Sequence, residues 1–223
     1  YVYSYMNGAI SGMFSDRISE ILQKENPPFL GASVSDGEYL VSKTKGAFTG
    51  ATVCKDNGYK EAIAALYREM LRAARFGFTV TEYERYKTEL KSQLDNLYAQ
   101  KDKVYSSQYV NEYVRHFIDN EPAPGIEWEY QNLGQLADMV PVTAINQTVK
   151  TMLSDSNMVV AMFCPDKADL TYPTEAEILD IIKSVDAENI EAYKEEVSNE
   201  PLISQLPEPG KIKKTAAGPY EST

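Results

Sequence analysis

The chain contains one histidine and two cysteines, and these counts decide which chemistries it can carry out unaided. A zinc hydrolase usually holds its ion with two histidines and a carboxylate around an open position. His116 stands alone in Tyr113-Val114-Arg115-His116-Phe117, so it reads as a surface or packing residue rather than a ligand. Cys54 and Cys164 rule out a disulfide-dense scaffold and a four-cysteine metal cluster. Each lies in or beside an expected strand, where cysteine acts as a small apolar filler, and nothing beside either suggests an activated thiolate. A free-standing thiol enzyme using one of them would be excluded if both alkylate only after unfolding.

The carboxylates offer little more. Glu195-Glu196 and the Asp186/Glu188 pair could be cast as general acid and base, but their setting is that of solvated faces and first helical turns. Asn146-Gln147-Thr148 fits a glycosylation sequon inside an expected helix. The 16 tyrosines invite a ring-stacking site, yet Tyr105, Tyr109 and Tyr113 recur at helical spacing and are expected to pack with their hydroxyls reaching water. Residue chemistry alone therefore assigns no catalytic, substrate-binding or metal-binding residue.

The elements that would have to position any site read as follows. Asn7-Gly8 is expected as a turn, after which Met13, Phe14, Ile18, Ile21 and Leu22 hold a helical stripe until Pro27-Pro28. Leu30, Ala32 and Val34 alternate as a strand does. Asp36-Gly37 and Lys45-Gly46 read as turns around a short extended piece, and residues 47–55 as a second strand closed by Asp56-Asn57-Gly58. Tyr59, Ile63, Leu66, Met70 and Leu71 mark a helix ending at Arg75-Phe76-Gly77. The next is expected to open on a capping box of Thr81 with Glu84 and to run towards Gln100. A further helix carries Tyr105 to Phe117 and stops before Pro122 and Pro124; two more cover residues 126–139 and 143–153. The apolar run 158–163 has the pattern of an interior strand buried on both faces. Residues 173–183 and 187–197 read as closing helices. Beyond Ser198 the Pro- and Gly-containing tail reads as an extended linker. Strands first, then a block of helices, then one more strand argue for an α+β fold with a largely antiparallel sheet covered by helices.

Composition sets outer bounds. The formal charge is −11, which argues against nucleic-acid partners that need a basic face. Apolar residues make up 43% of the 223 positions, enough for a packed core, and no apolar run approaches the roughly 18 residues that read as a spanning helix. The first residues, Tyr-Val-Tyr-Ser-Tyr-Met, read as the end of an element already under way, so the chain is expected to be a fragment with an apolar edge exposed there.

Three stretches together resemble the insulinase/pitrilysin family of zinc metallopeptidases, in its second, non-catalytic domain type. They are Ser11-Gly12-Met13-Phe14-Ser15-Asp16-Arg17-Ile18 continuing to Pro27-Pro28-Phe29-Leu30-Gly31-Ala32-Ser33; Gly77-Phe78-Thr79-Val80-Thr81-Glu82-Tyr83-Glu84-Arg85-Tyr86-Lys87; and His116-Phe117 through Pro122-x-Pro124-Gly125-Ile126-Glu127 to the late apolar run ending at Cys164-Pro165. The resemblance implies a non-catalytic peptidase-family domain over residues 1–166, closing helices over 167–197 and a linker towards the second half over 198–223. It also implies a parent zinc metalloendopeptidase whose His-x-x-Glu-His motif, with its zinc, sits in a domain upstream of Tyr1.

On this reading the chain is the second domain of the N-terminal half. Its implied partners are the catalytic domain and C-terminal half of the same polypeptide and a peptide substrate, with neither nucleic acid nor membrane. Many members carry a substrate-holding Arg and Tyr in a second-type domain of the C-terminal half. The matching positions here, Gln23-Lys24-Glu25-Asn26 and Phe29-Leu30-Gly31-Ala32, have neither. No site residue is transferred, and the chain alone is expected to be inactive and to bind no stoichiometric zinc. A periplasmic or secreted location is expected. The alternative is a scaffold or partner subunit of a catalytically inactive relative.

Overall fold

Helix α1 (Val2–Leu22) buries residues around much of its circumference: Tyr5, Ala9, Ile10, Met13, Phe14, Arg17 and Ile18 are all inaccessible. A helix apolar on several sides belongs in the interior, and α1 packs against the hairpin and against three later helices. The computed structural model describes residues 1–39, 42–154 and 156–195, with isolated positions between 203 and 215. Asn7-Gly8 is not a turn; the helix passes straight through it. The glycines serve packing instead. A Cβ on Gly12 would stand 2.8 Å from the Tyr86 ring, and one on Gly8 3.3 Å from the Tyr86 hydroxyl. Tyr86 can approach because both side chains are missing.

Strands β1 (Gly31–Tyr39) and β2 (Ser42–Val53) form an antiparallel hairpin, in register from Gly31 opposite Val53 to Glu38 opposite Gly46. The two expected turns, Asp36-Gly37 and Lys45-Gly46, are instead strand residues, with Gly37 opposite Ala47 and Gly46 opposite Glu38. The ladder shifts between Glu38 and Tyr39, where Tyr39 stands opposite Ser42. A two-stranded hairpin is marginal by itself. This one is held by burial of Val34 and by contact of the Phe48 ring with Phe14, 6.1 Å between centroids.

Five helices follow: α2 (Tyr59–Phe76), α3 (Val80–Ala99), α4 (Ser106–Asp119), α5 (Ile126–Met139) and α6 (Val142–Met152), with α7 (Glu175–Asp186) later in the chain. The main core joins α1, the hairpin, α2, α3, α5 and α6. A smaller cluster of Tyr67, Val185 and Ile190 lies between α2 and the residues around α7. The fold is therefore α+β, helix-rich, with an antiparallel hairpin as its sheet among the described residues.

Two expected elements are absent. Residues 158–163 pair with no strand; Met158 packs into the smaller cluster, while Val159 is 65% and Phe163 90% exposed. The apolar run has strand composition but no neighbouring strand here to complete a ladder, and composition alone cannot make a sheet. Residues 187–195 are not helical. Their backbone carbonyls are engaged by α2: Arg75 donates to Asp186 O (2.9 Å) and Glu188 O (3.3 Å), and Arg72 to Glu191 O (3.0 Å). Arg68 clamps the Glu188 carboxylate at 2.5 and 2.7 Å.

Residues Tyr1–Tyr193 form one compact unit and Lys194–Thr223 a separate one. The expected linker from Ser198 onward, and the end of the expected helix at residues 196–197, lie outside the described residues apart from the isolated positions noted.

Candidate functional site

The sequence candidates stay apart. His116 lies near the end of α4, where its Nδ1 donates to the Glu121 carbonyl at 2.6 Å. Cys54 is half-buried beside the main core, as a filler would be, but Cys164 is exposed in irregular chain and fills nothing. Asp186 and Glu188 are neither paired with each other nor simply solvated: Asp186 accepts from Tyr67 at 2.8 Å and Glu188 binds Arg68. The Arg68 guanidinium holds the Glu188 carboxyl below the usual carboxylate range. Glu196 lies outside the described residues. Asn146 is a structural clamp. Its amide accepts from Phe78 N (2.7 Å) and donates to Phe78 O (3.0 Å), filling the space a Gly77 Cβ would need. No group of three or more His, Cys, Asp or Glu among the described residues could hold a metal ion. With a single histidine in the whole sequence, these residues do not fit a catalytic zinc site.

The most organised polar centre is buried. Arg17 from α1 meets Glu82 from α3, with side chains 2% and 1% exposed. Arg17 Nε donates at 2.6 Å and Nη2 at 2.9 Å to the two carboxylate oxygens, and Nη2 also reaches Gly77 O at 3.2 Å. The guanidinium lies over the Phe78 ring at 4.7 Å and over the Tyr193 ring at 4.3 Å. Glu82 also closes the α3 N-terminus. Thr79 and Glu82, not Thr81 and Glu84, form the capping box, with Glu82 N donating to Thr79 Oγ1 and Thr79 N donating to Glu82. One carboxylate thus satisfies a cation, a cap and the junction between two helices. Sealed from solvent on all sides, the pair organises the fold and can meet no substrate.

A different kind of feature lies on the surface. Helix α4 buries no residue; its only half-buried position is Glu112, and the other positions are exposed. Tyr109, Val110, Tyr113, Val114, Phe117 and Ile118 fall on one side by helical spacing. They face solvent, Tyr113 at 61% and Phe117 at 89% exposure. The helix therefore lies on the surface with both its sides largely exposed, and Glu112, on its polar side, stands close enough to α5 to repel Glu129. Burial first, and the Glu112 charge second, push the Glu129 carboxyl up. The tyrosines expected to pack do not. The geometry is fixed at both ends. Asn120 takes the left-handed conformation (φ 56°) that stops the helix, and Arg115 and His116 both bind Glu121 beyond it. A 3-10 turn, Lys101–Lys103, precedes α4, and its Lys101 is tied to Glu127 of α5 at 3.0 Å. Periodicity located this face but could not tell inward from outward. The available signal was chemical, three of the six side chains being aromatic and two of them carrying a hydroxyl.

The N-terminal turn of α1 also shows apolar surface: Tyr1, Val2 and Tyr3 are exposed, and the Tyr1 ring meets Trp128 at 4.5 Å. No helix among the described residues is long and apolar enough to cross a membrane.

No protein-family model matches the chain. A zinc protease PQQL-like protein of Arabidopsis thaliana is 22% identical over 199 residues, which are 89% of this chain and 18% of that protein. The first half of the periplasmic protease PqqL from Escherichia coli superposes with a TM-score of 0.65 at 15% identity, over 86% of this chain and 41% of that one. A predicted insulinase family protease from Yersinia pestis gives 0.68 at 15% identity, over 82% of this chain and 38% of the other. At such identities the solved structures speak for the fold, and the chain spans under a fifth of the curated relative.

Proposed function

We propose that this chain, an insulinase-type peptidase domain by its fold, is a non-catalytic structural and chamber-lining domain of a zinc-dependent metalloendopeptidase. The observation that carries the reading is the superposition on the first half of a periplasmic protease, over most of this chain and less than half of that one. The ligand arithmetic agrees: a chain with one histidine cannot supply the paired histidines of an inverted zinc motif. Zinc in the parent protein would be held elsewhere in the polypeptide, and no step of peptide hydrolysis is assigned to residues here. The domain's part is mechanical: its core, pinned by Arg17 and Glu82, offers a rigid wall for the catalytic domain and for peptide in an enclosed space.

The placement as second domain of an N-terminal half, the partnership with a catalytic domain and a C-terminal half, and a periplasmic or secreted location all belong to this reading. The scaffold alternative is separated from it by one measurement. The full-length protein is assayed on an unstructured peptide with and without a chelator, alongside a variant of the His-x-x-Glu-His motif in the preceding domain. Chelator-sensitive cleavage lost in that variant supports the peptidase. A full-length protein without that motif, or one that cleaves nothing when zinc-loaded, overturns it in favour of the scaffold. One equivalent of zinc retained by the present chain alone would show that the metal site is misplaced.

A further inference from the structure

We propose that the outward apolar face of α4 is a reversible docking surface for basic, apolar segments of unfolded polypeptide. The proposal rests on the chamber-lining reading and names the substrate class that this wall would receive. Three observations carry it. The face is contiguous and free of charge: Tyr109, Val110, Tyr113, Val114, Phe117 and Ile118 are all exposed, while the one half-buried residue of the helix is Glu112. A helix that buries none of its apolar side against its own domain leaves that side for something else. The composition of the face fits a transient contact. Tyrosines give large, rigid contact area with a hydroxyl that is content in water, which suits a surface alternately wet and covered.

Charge selects the occupant. Residues 101–130, which carry α4 and its flanks, hold six carboxylates against three cations, and two of those cations, Lys101 and Arg115, are already engaged by Glu127 and Glu121. The surround is acidic, as is the whole chain at −11, so a basic partner is drawn in and an acidic one repelled. A second copy brings the same −11 and meets repulsion. An extended peptide with lysines or arginines between apolar residues matches both the acidic surround and the apolar face.

The test uses the whole chain and fluorescein-labelled peptides of three compositions: alternating leucine and lysine, alternating leucine and glutamate, and alternating serine and lysine. Fluorescence anisotropy should show the leucine–lysine peptide saturating in the micromolar range and weakening as salt is added. The other two should bind at least tenfold more weakly. The double substitution Tyr113→Ser with Phe117→Ser should lower affinity for the leucine–lysine peptide tenfold or more while the circular dichroism is unchanged. Val110→Ser with Val114→Ser repeats the measurement should the first pair lose helix. The proposal is overturned if both double variants bind the peptide as the parent chain does, if the leucine–glutamate peptide binds equally well, or if none of the peptides binds. A stable dimer by sedimentation that the same substitutions dissociate would also overturn it, by making a second copy the occupant. Binding is read without zinc and without cleavage, so its failure leaves the domain assignment untouched, and failure of that assignment is read from the chelator assay.

Discussion

Replacing Glu82 by glutamine would test the claim that one buried carboxylate organises the junction of α1 and α3. The substitution keeps size and shape but removes the charge that faces Arg17 at 2.6 and 2.9 Å, in a site where both side chains are at most 2% exposed. Breaking a buried pair from one side leaves the other charge uncompensated, which costs about 3–5 kcal/mol. The loss is aggravated because Arg17 already has one nitrogen, Nη1, without a partner and so has no spare contact to fall back on. The carboxylate's cap on Thr79 N weakens too, a share worth up to about 1 kcal/mol. For a chain of this length each kcal/mol lowers the midpoint by about 2–4 °C, so Glu82→Gln should melt about 6–20 °C below the parent. Urea unfolding followed by circular dichroism reads the same quantity as a lower midpoint at unchanged slope. The companion Arg17→Met with Glu82→Leu removes both charges and should recover most of the loss, because two well-packed apolar groups have nothing left unpaired. A Glu82→Gln protein within about 1 kcal/mol of the parent would refute the reasoning, since a pair that inaccessible cannot be relieved by water.

Other expectations follow from particular contacts. Gly12→Ala should destabilise by about 1–3 kcal/mol because its Cβ would press 2.8 Å from the Tyr86 ring. Gly8→Ala, with 3.3 Å to a hydroxyl, should be near neutral once the better helix propensity of alanine is counted; urea unfolding ranks the two. Asn146→Ala strips both partners from the Phe78 backbone and should cost about 1–3 kcal/mol by the same assay, and in a glycosylating host Asn146 should stay unmodified by mass. The depressed carboxyl of Glu188 adds stability present above its unfolded value near 4.5 and lost as pH falls through its folded value. Glu188→Gln should therefore flatten the acid side of the stability curve, by under about 1 kcal/mol because the pair is a third exposed.

The helices were the most legible part of the chain. Apolar spacing located α2, α5 and α6 to within a residue or a few, since each has periodic apolar positions and clear punctuation at its ends. Turn dipeptides misled where tertiary contacts outweighed them. Asn7 sits inside α1, donating to Asp36 at 2.6 Å, and Gly8 is there to admit Tyr86. Gly37 and Gly46 lie in a ladder rather than at its corner. The capping box was misplaced by two residues because two Thr/Glu pairs share the same spacing, and the choice of Glu82 depends on Arg17, 65 positions away. No local rule carries that information. Periodicity also says that a helix has two sides without saying which one the domain wants, so the α4 tyrosines were assigned to a core they do not reach.

Helix α2 shows what α4 lacks. One of its stripes, Ala62, Leu66, Met70 and Ala73, enters the main core, while Tyr67, with Ala64 and Leu71, builds the second cluster under Val185 and Ile190. A third stripe is polar but equally occupied: Arg68, Arg72 and Arg75, spaced so that they share a face, bind the carboxylate and carbonyls of residues 186–191. Those bonds explain why a sequence acidic enough to start a helix at residue 187 stays irregular. The carbonyls that a further helical turn would use are already accepting from guanidinium groups, and the Glu188 carboxylate is drawn back across α2 rather than left at a helix start. Most of the apolar surface of α2 and its three arginines are engaged within the unit, with Phe76 left half exposed at the helix end. On α4, by contrast, Arg115 pairs with Glu121 at the surface, and the apolar side is left uncovered. Since apolar area in water costs about 25 cal/mol per Å², an apolar ligand that covers the face of α4 gains in proportion to the area it removes from water.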